Sequence, residues 1–538
     1  MLRFYSLPPE IQNMILNLVA EPSTTSSTPQ APSAPEKSNL APYACVDKFW
    51  NSFFESRTFN NLIITQDDIP TLSQIVGRQK RLFLHHLWLR IELPKYLTST
   101  IKEEENPKVL WALDSVFTKS IFNLWDVLSV WNSTGHNGMT LELSAFSPRD
   151  WNSFLVHNCS VEKDVELYKK YLTSGSTEQY EAVSDVHEPY VNLHHAIRNV
   201  PRRNDYWFPT VNNLFGWKPL EFTEDVAQLP PVSVVTKFLI RRQQFREIYP
   251  TALETMLSSL TNVQEIHVER WRCAESSDEK MWCKEAQITF GMSLPPSVQR
   301  LSLYGETSKV FHIWEPKKAT VVSLAKTLRQ YTRHLESLSI SHLIDAKEFL
   351  RPFYSDNGVR LLPDWKNLKR LSLTSDIFKT GTEKDVNDLL CAAARASKKM
   401  PKIEMLELWN GEAACVFCYR VEDTMSEITW RGMHFPILDN EVVRTWEAAS
   451  INNNRPDVRE SAKPIKIENI VSSRQVLKYV TSRYRILHPV SAIRAIWKRR
   501  RGKSDDYETR GRKRAKKYEI KDECSLAQQH SIGVWYDV

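Results

Sequence analysis

A chain of 538 residues, 42% apolar, is long enough to bury a large core. Its 14 glycines, about half the usual share, argue against glycine-rich phosphate-binding loops and linker-dominated chains. The net charge of +7 is carried by residues 494–517, where twelve Lys or Arg face three Asp or Glu; the rest of the chain stands at −2, so a basic nucleic-acid face on the folded body is not expected.

The first element in chain order is helical. Pro8 and Pro9 can open a helix, because their missing N–H groups fall where no intrahelical acceptor exists. Ile11, Ile15 and Leu18 then follow at helical spacing. Pro8, Pro9, Glu10, Gln12 and Asn13 interrupt any apolar run, so this is not a secretory leader. The stretch from Pro22 to Ser38 holds no aromatic or large aliphatic side chain and reads as a flexible loop. Tyr43, Val46, Phe49, Trp50 and Phe53 form a second amphipathic helix.

Strand-like and helix-like segments alternate from there. Leu84-x-x-Leu87-x-Leu89 sets an apolar-x-x-apolar-x-apolar template, and Leu141 to Leu143 matches it in part, with Gly138 in the first apolar place. Val235-x-x-Phe238-x-Ile240 matches fully. Five further matches recur every 33 to 37 residues: Val263/Ile266/Val268, Val298/Leu301/Leu303, Leu335/Leu338/Ile340, Leu368/Leu371/Leu373 and Ile403/Leu406/Leu408. Helices are expected over Trp111 to Trp131 and Asp385 to Lys399. That period predicts a solenoid, in which each strand and its returning helix bury apolar faces against their neighbours and leave a long surface for another protein. The asparagine that ties the turns of regular leucine-rich repeats is missing, since its positions hold Glu306, Leu343, Asp376 and Gly411. An irregular stack is therefore expected. Ala414 to Val421 and Glu427 to Gly432 read as a closing hairpin, 451–471 as a polar linker, and 472–497 as a C-terminal helical segment. Residues 498–538 read as a basic, largely disordered tail.

Leu7-Pro8-Pro9-Glu10-Ile11-x-x-x-Ile15, followed by Val46-x-x-x-Trp50, resembles the F-box motif. The wider stretches Leu40–Val46, Leu84–Leu93, Phe238–Gln243 and Glu269–Arg272 are similar to a group of filamentous-fungal F-box proteins, over roughly residues 1 to 450. The resemblance implies a substrate-recognition subunit of a Skp–cullin–F-box ubiquitin ligase. Leu7, Pro8, Ile11, Ile15, Val46 and Trp50 would face a Skp-type adaptor or the domain's own core, the adaptor would dock on a cullin, and the body would hold a protein substrate. The expected architecture is α/β: a small helical F-box at 1–60 with a flexible insert at 22–38, then an irregular leucine-rich-repeat-like strand/helix solenoid at 61–450.

Remaining motifs are weaker. Lys498, Arg499, Arg500, Arg501 and Arg512, Lys513, Arg514, Lys516, Lys517 form two clusters spaced like a bipartite nuclear-import signal, which would engage an import receptor; the bland alternative is a solvated basic run or phosphate-binding arm. Ile465-Lys466-Ile467-Glu468 and Ile520-Lys521-Asp522-Glu523 match a short pattern for attachment of a ubiquitin-like modifier. Cys415 and Cys418 lie three apart on an expected strand and so point to opposite faces, which ill suits one metal. Gly502-Lys503-Ser504 lacks the earlier glycine of a nucleotide-binding loop, its place being Trp497. Eight cysteines without regular spacing make no disulfide framework, and no apolar run approaches the roughly 18 residues of a membrane span. The sequence thus predicts a non-catalytic protein without cofactor or metal, nuclear and/or cytoplasmic, with neither a membrane nor nucleic acid as partner. The other reading is a nuclear repeat scaffold or nucleic-acid-associated protein acting through its basic tail.

Overall fold

The computed structural model describes residues 4–20, 41–95, 107–131, 135–148, 161–174, 176–183, 218–223, 228–242, 246–273, 275–306, 318–355, 362–422, 425–432, 438–455, 457–465 and 473–496. The Pro22–Ser38 loop and the basic clusters at 498–501 and 512–517 lie outside these residues, as do Lys466, Lys521 and Gly502–Ser504.

Among the described residues, three helices, α1 (Pro9–Ala20), α2 (Ala41–Ala44) and α3 (Lys48–Thr58), precede an open sheet of twelve strands. The strands follow one another in space as they do in sequence: β1 (Asn61–Thr65), β2 (His86–Glu92), β3 (Met139–Phe146), β4 (Val235–Ile240), β5 (Glu265–Trp271), β6 (Arg300–Glu306), β7 (Ser337–Ser341), β8 (Arg370–Thr374), β9 (Met405–Asn410), β10 (Cys415–Val421), β11 (Ser426–Gly432) and β12 (Val458–Pro464). Neighbours from β1 to β9 pair parallel, as do β11 and β12, while β10 runs antiparallel to both β9 and β11. Parallel neighbours need a crossover between them, and helices supply it. The chain is mixed α/β.

Register explains the spacing of the apolar template. Ile266, Leu301, Leu338, Leu371 and Leu406 pair in one row, and Val268, Leu303, Ile340, Leu373 and Leu408 in the next. All fifteen template residues of the five matches are buried. They join one core with the inner faces of helices Pro107–Ser129, Pro250–Ser259, Ser276–Gln287, Lys318–Tyr331, Glu383–Ser397 and Asn440–Asn452. In Pro107–Ser129 the buried residues Leu113, Phe117, Ile121, Leu124 and Leu128 recur at three- and four-residue intervals, the stripe a one-sided helix needs. Helix Glu383–Ser397 starts at a capping box in which Thr382 and Asp385 bond each other's backbone amides. Gly138 replaces an apolar residue because its φ is +93° and a Cβ there would lie 2.3 Å from Thr236 Oγ1.

The missing asparagine ladder has substitutes. Asp345 accepts from Ser375 Oγ (2.7 Å) and the Asp376 amide (2.9 Å), while Asn410 Nδ2 donates to the Ser375 carbonyl (2.8 Å).

One expectation needs correction. The sheet does not stop near 450: β12 lies inside the expected linker and pairs with β11 over seven residues. Its sequence, Val-Arg-Glu-Ser-Ala-Lys-Pro, lacks the apolar template, as an edge strand can. The expected C-terminal helical segment packs back on the body. The 3-10 turn Ser473–Tyr479 and the short helices Arg483–Ile486 and Pro489–Ile496 are buried against the sheet face opposite the main core, as a strap. The expected open surface is covered there. On the sequence the strap's apolar spacing says only that one side must be buried, not against what.

Candidate functional site

The N-terminal helices contain the first candidate. Asp47 caps α3 by accepting from the Phe49 (2.7 Å) and Trp50 (3.0 Å) amides, and Gln12 Nε2 donates to the Leu7 carbonyl (2.8 Å), fixing the entry to α1. Arg57 on α3 donates to Asn17 Oδ1 on α1 and stacks 3.7 Å over the Phe53 ring. Inside, Leu16 and Phe54 are buried, and Trp50 packs among Phe4, Tyr43 and Phe54 at ring separations of 5.5 to 6.5 Å.

Little else apolar in this unit is covered. Among the described residues sixteen large apolar side chains are exposed, and seven of them crowd here: Tyr5, Ile11, Met14, Leu18, Tyr43, Val46 and Phe49. Such a concentration is a candidate protein-binding surface. The six residues predicted as adaptor-facing all lie in this unit: Pro8, Ile11 and Val46 are exposed, Leu7, Ile15 and Trp50 half-buried. Tyr5 and Met14 are additions that sequence reading missed; Met14 falls three residues after Ile11 on α1, a spacing that could have found it.

The unit is tied closely to the body. Only Phe59 and Asn60 separate α3 from β1. The Asn60 carbonyl accepts from the His85 and His86 amides, and Lys80 bridges Glu55 on α3 at 3.0 Å while lying 4.7 Å over Phe59.

The sheet face beneath the strap is the second candidate. Side chains that alternate with the apolar template point here, so small and polar residues line it: His86 and Trp88 on β2, Glu142 on β3, His267 and Glu269 on β5, Ser302, Ser339 and Ser372 on β6 to β8, and Glu407 on β9. Tyr304, Trp409 and Val416 give it an apolar floor for Val476, Leu477, Val480, Ile486 and Leu487 of the strap. Trp88, with Tyr168 and Tyr180 from helices Val161–Thr173 and Thr177–Val183, receives Val490 and Ile493.

Two fully buried carboxylates meet the strap's backbone. Glu407 accepts from the Thr481 amide (2.7 Å), the Ser482 amide (3.0 Å) and the Ser482 hydroxyl. Glu269 accepts from the His267 ring (2.9 Å), the Arg242 amide (2.8 Å), the His488 amide and the Ser491 hydroxyl. Burial alone would raise the Glu269 carboxyl; the bonds from His267, Ser491 and His488 outweigh it and hold it below the usual range. His488 sits edge-on to Tyr171 at 5.1 Å. Burial, then the cationic Arg241 and Lys237 nearby, drive its imidazole well below the ordinary value, so it stays neutral.

A third cluster, around Arg270, is structural in its geometry. Arg270 pairs with Glu247 (2.7 Å) and takes both oxygens of Glu279 (3.0 and 2.8 Å), with its guanidinium 3.6 Å over Trp282. The three guanidinium nitrogens of Arg270 all donate to side chains of the core. Cys415 and Cys418 lie on β10 in register with Asn410 and Glu407, on opposite faces. Among the described residues there is no group of three or more His, Cys, Asp or Glu placed to hold a metal ion, and no helix is long and apolar enough to cross a membrane.

Fold and surfaces together define a mixed α/β protein in which a small helical unit with an exposed apolar face is joined to a long, in-order sheet. Residues 293–488, from the lead-in to β6 through His488 of the strap, match the model of a family of unknown function (DUF6546). No curated protein and no solved structure matches the chain.

Proposed function

We propose that this chain is the substrate-recognition subunit of a Skp–cullin–F-box ubiquitin ligase. The α1–α3 unit would act as an F-box that docks a Skp-type adaptor, and the strand–helix body, read as an irregular leucine-rich-repeat-like solenoid, would hold a protein substrate. The observation that carries the reading is the exposure of Ile11, Met14 and Leu18 on α1 and of Val46 just before α3, in the unit that also bears the Leu7-Pro8 and Val46-x-x-x-Trp50 signatures. The two-residue link to β1 favours it as well, because a ligase subunit works by fixing the distance between a substrate lysine and a ubiquitin carried elsewhere.

The test is co-purification of the full chain with a fungal Skp-type adaptor and cullin, beside an Ile11→Asp/Val46→Asp variant. Both side chains are exposed, so the variant should fold. Each substitution puts an unpaired carboxylate into a desolvated apolar contact, worth at least about tenfold in affinity. Capture by the wild type and loss in the variant supports the reading. A folded wild type that captures no adaptor, or a variant that captures it equally, refutes it.

A further inference from the structure

We propose that the polar face of the sheet is a peptide-binding groove, closed in cis by residues 473–496, and that the body's protein partner enters as an aliphatic-rich segment that displaces this strap. The inference rests on the reading that the body holds a protein, and it names where and in what chemical form.

The groove is built for a peptide. Two buried carboxylates, Glu407 on β9 and Glu269 on β5, accept backbone amides at two separate turns of the strap, so they read main chain that any peptide would offer. Side-chain pockets supply selectivity. Tyr304, Trp409 and Val416 receive Ile486 and Leu487, and Trp88 with Tyr168 and Tyr180 receives Val490 and Ile493. The serine row, Ser302, Ser339 and Ser372, keeps β6 to β8 shallow, and the Ser302 hydroxyl donates to the Ile486 carbonyl at 3.4 Å. Nothing in the repeat template requires serine at these three places; their side chains leave room for a segment to lie close.

The occupant defines the ligand. The strap's buried anchors are aliphatic, Ile486, Leu487, Val490 and Ile493, whereas its Lys478 and Arg485 are exposed. The strap contributes no strand to the sheet and no side chain to the helix-side core. Its apolar side chains belong to two smaller clusters on the opposite face.

The probe is a fluorescein-labelled peptide of residues 473–496, titrated into the full chain and into an Ile486→Asp/Leu487→Asp variant whose own strap is loosened. Wild type should bind it at least tenfold more weakly than the variant, because its groove is filled. Adding Glu407→Gln to the variant should abolish most of the gain. A folded variant that binds no better than wild type overturns the proposal.

Hydrogen exchange of the unmodified protein decides the matter should the variant fail to fold. Amides of Arg485, Ile486 and Leu487 should exchange at least a hundredfold faster than those of Leu338 and Ile340 in β7, showing that the strap leaves alone. Equal exchange in the two places means that the strap opens only with the whole body, and overturns the proposal. Neither readout involves the adaptor, so this inference can fail while the ligase reading stands, and the reverse.

Discussion

Replacing Glu407 with glutamine tests the carboxylate that holds the strap's first turn. In the native protein one oxygen accepts the Thr481 amide and the other accepts the Ser482 amide and hydroxyl, all out of water. Glutamine keeps one acceptor and sets an NH2 donor against the donors that remain. At least one buried N–H then loses its partner, and the surviving bonds lose their charge assistance. A lost bond to a charged group is worth about 1.5–3 kcal/mol, and with the weakened survivors the change should reach about 2–4 kcal/mol. Because about 1.4 kcal/mol is tenfold, strap opening should rise roughly 30- to 700-fold. The assay is native-state hydrogen exchange read at Arg485, Ile486 and Leu487, with Leu338 and Ile340 of β7 as reference in the same molecule. Acceleration confined to the strap is expected. A change under about threefold would refute the reasoning on buried acceptors.

Two further outcomes follow from the buried charges. Arg270→Met leaves Glu247 buried without its cation and Glu279 with only Arg272 at 3.7 Å, and should destabilise the fold by about 3–5 kcal/mol at pH 8. Burial already pushes the Glu247 carboxyl up to about 7 against the pull of Arg270. A carboxyl raised in the folded state favours folding at low pH and loses that contribution as pH rises through its folded pKa, so the loss should be smaller at pH 5; urea denaturation at both values checks it, and equal losses would contradict it. Strap docking should weaken in acid. His488 is held neutral among Arg241, Lys237, His86, His267, Glu142 and Glu269 of the sheet and Tyr168 and Tyr171 of the helix above, whereas a released His488 regains an imidazole pKa of about 6.5. A base depressed on docking favours the docked form above that value and opposes it below, so strap amides should exchange about tenfold more readily at pH 5.5 than at pH 7.5, after correction for intrinsic rates, and His488→Gln should flatten the difference.

The helix-facing half of the sheet was legible because it obeys a local rule. Leu301-Ser-Leu303, Leu338-Ser-Ile340 and Leu371-Ser-Leu373 alternate with period two, and the period of the matches stacks them in register. β1 carries the same spacing at Phe59, Leu62 and Ile64, directly after α3. The opposite face was not legible. Glu407 in Leu-Glu-Leu looks like a solvated position, and only its contact with Thr481 and Ser482, more than seventy residues on, makes it a buried acceptor. His488 and Glu269 meet across 219 positions. Spacing within a segment reveals that one side must be covered; what covers it is decided by the rest of the chain. The serine row was visible as a pattern, yet its meaning depends on the segment lying over it. At the N-terminus, Leu7, Pro8, Ile11, Ile15, Val46 and Trp50 were found by motif, and the structure adds that three of them face outward.

In the proposed ligase, the apolar face of α1–α3 is covered by an adaptor. Titration calorimetry of the full chain against a purified fungal Skp-type adaptor tests it without any third component. The expected result is a dissociation constant of about 1 μM or tighter, a negative heat-capacity change from apolar burial, and loss of both on Ile11→Asp/Val46→Asp. A folded chain that gives no heat of binding at several temperatures, or a variant that binds as the wild type does, would contradict it.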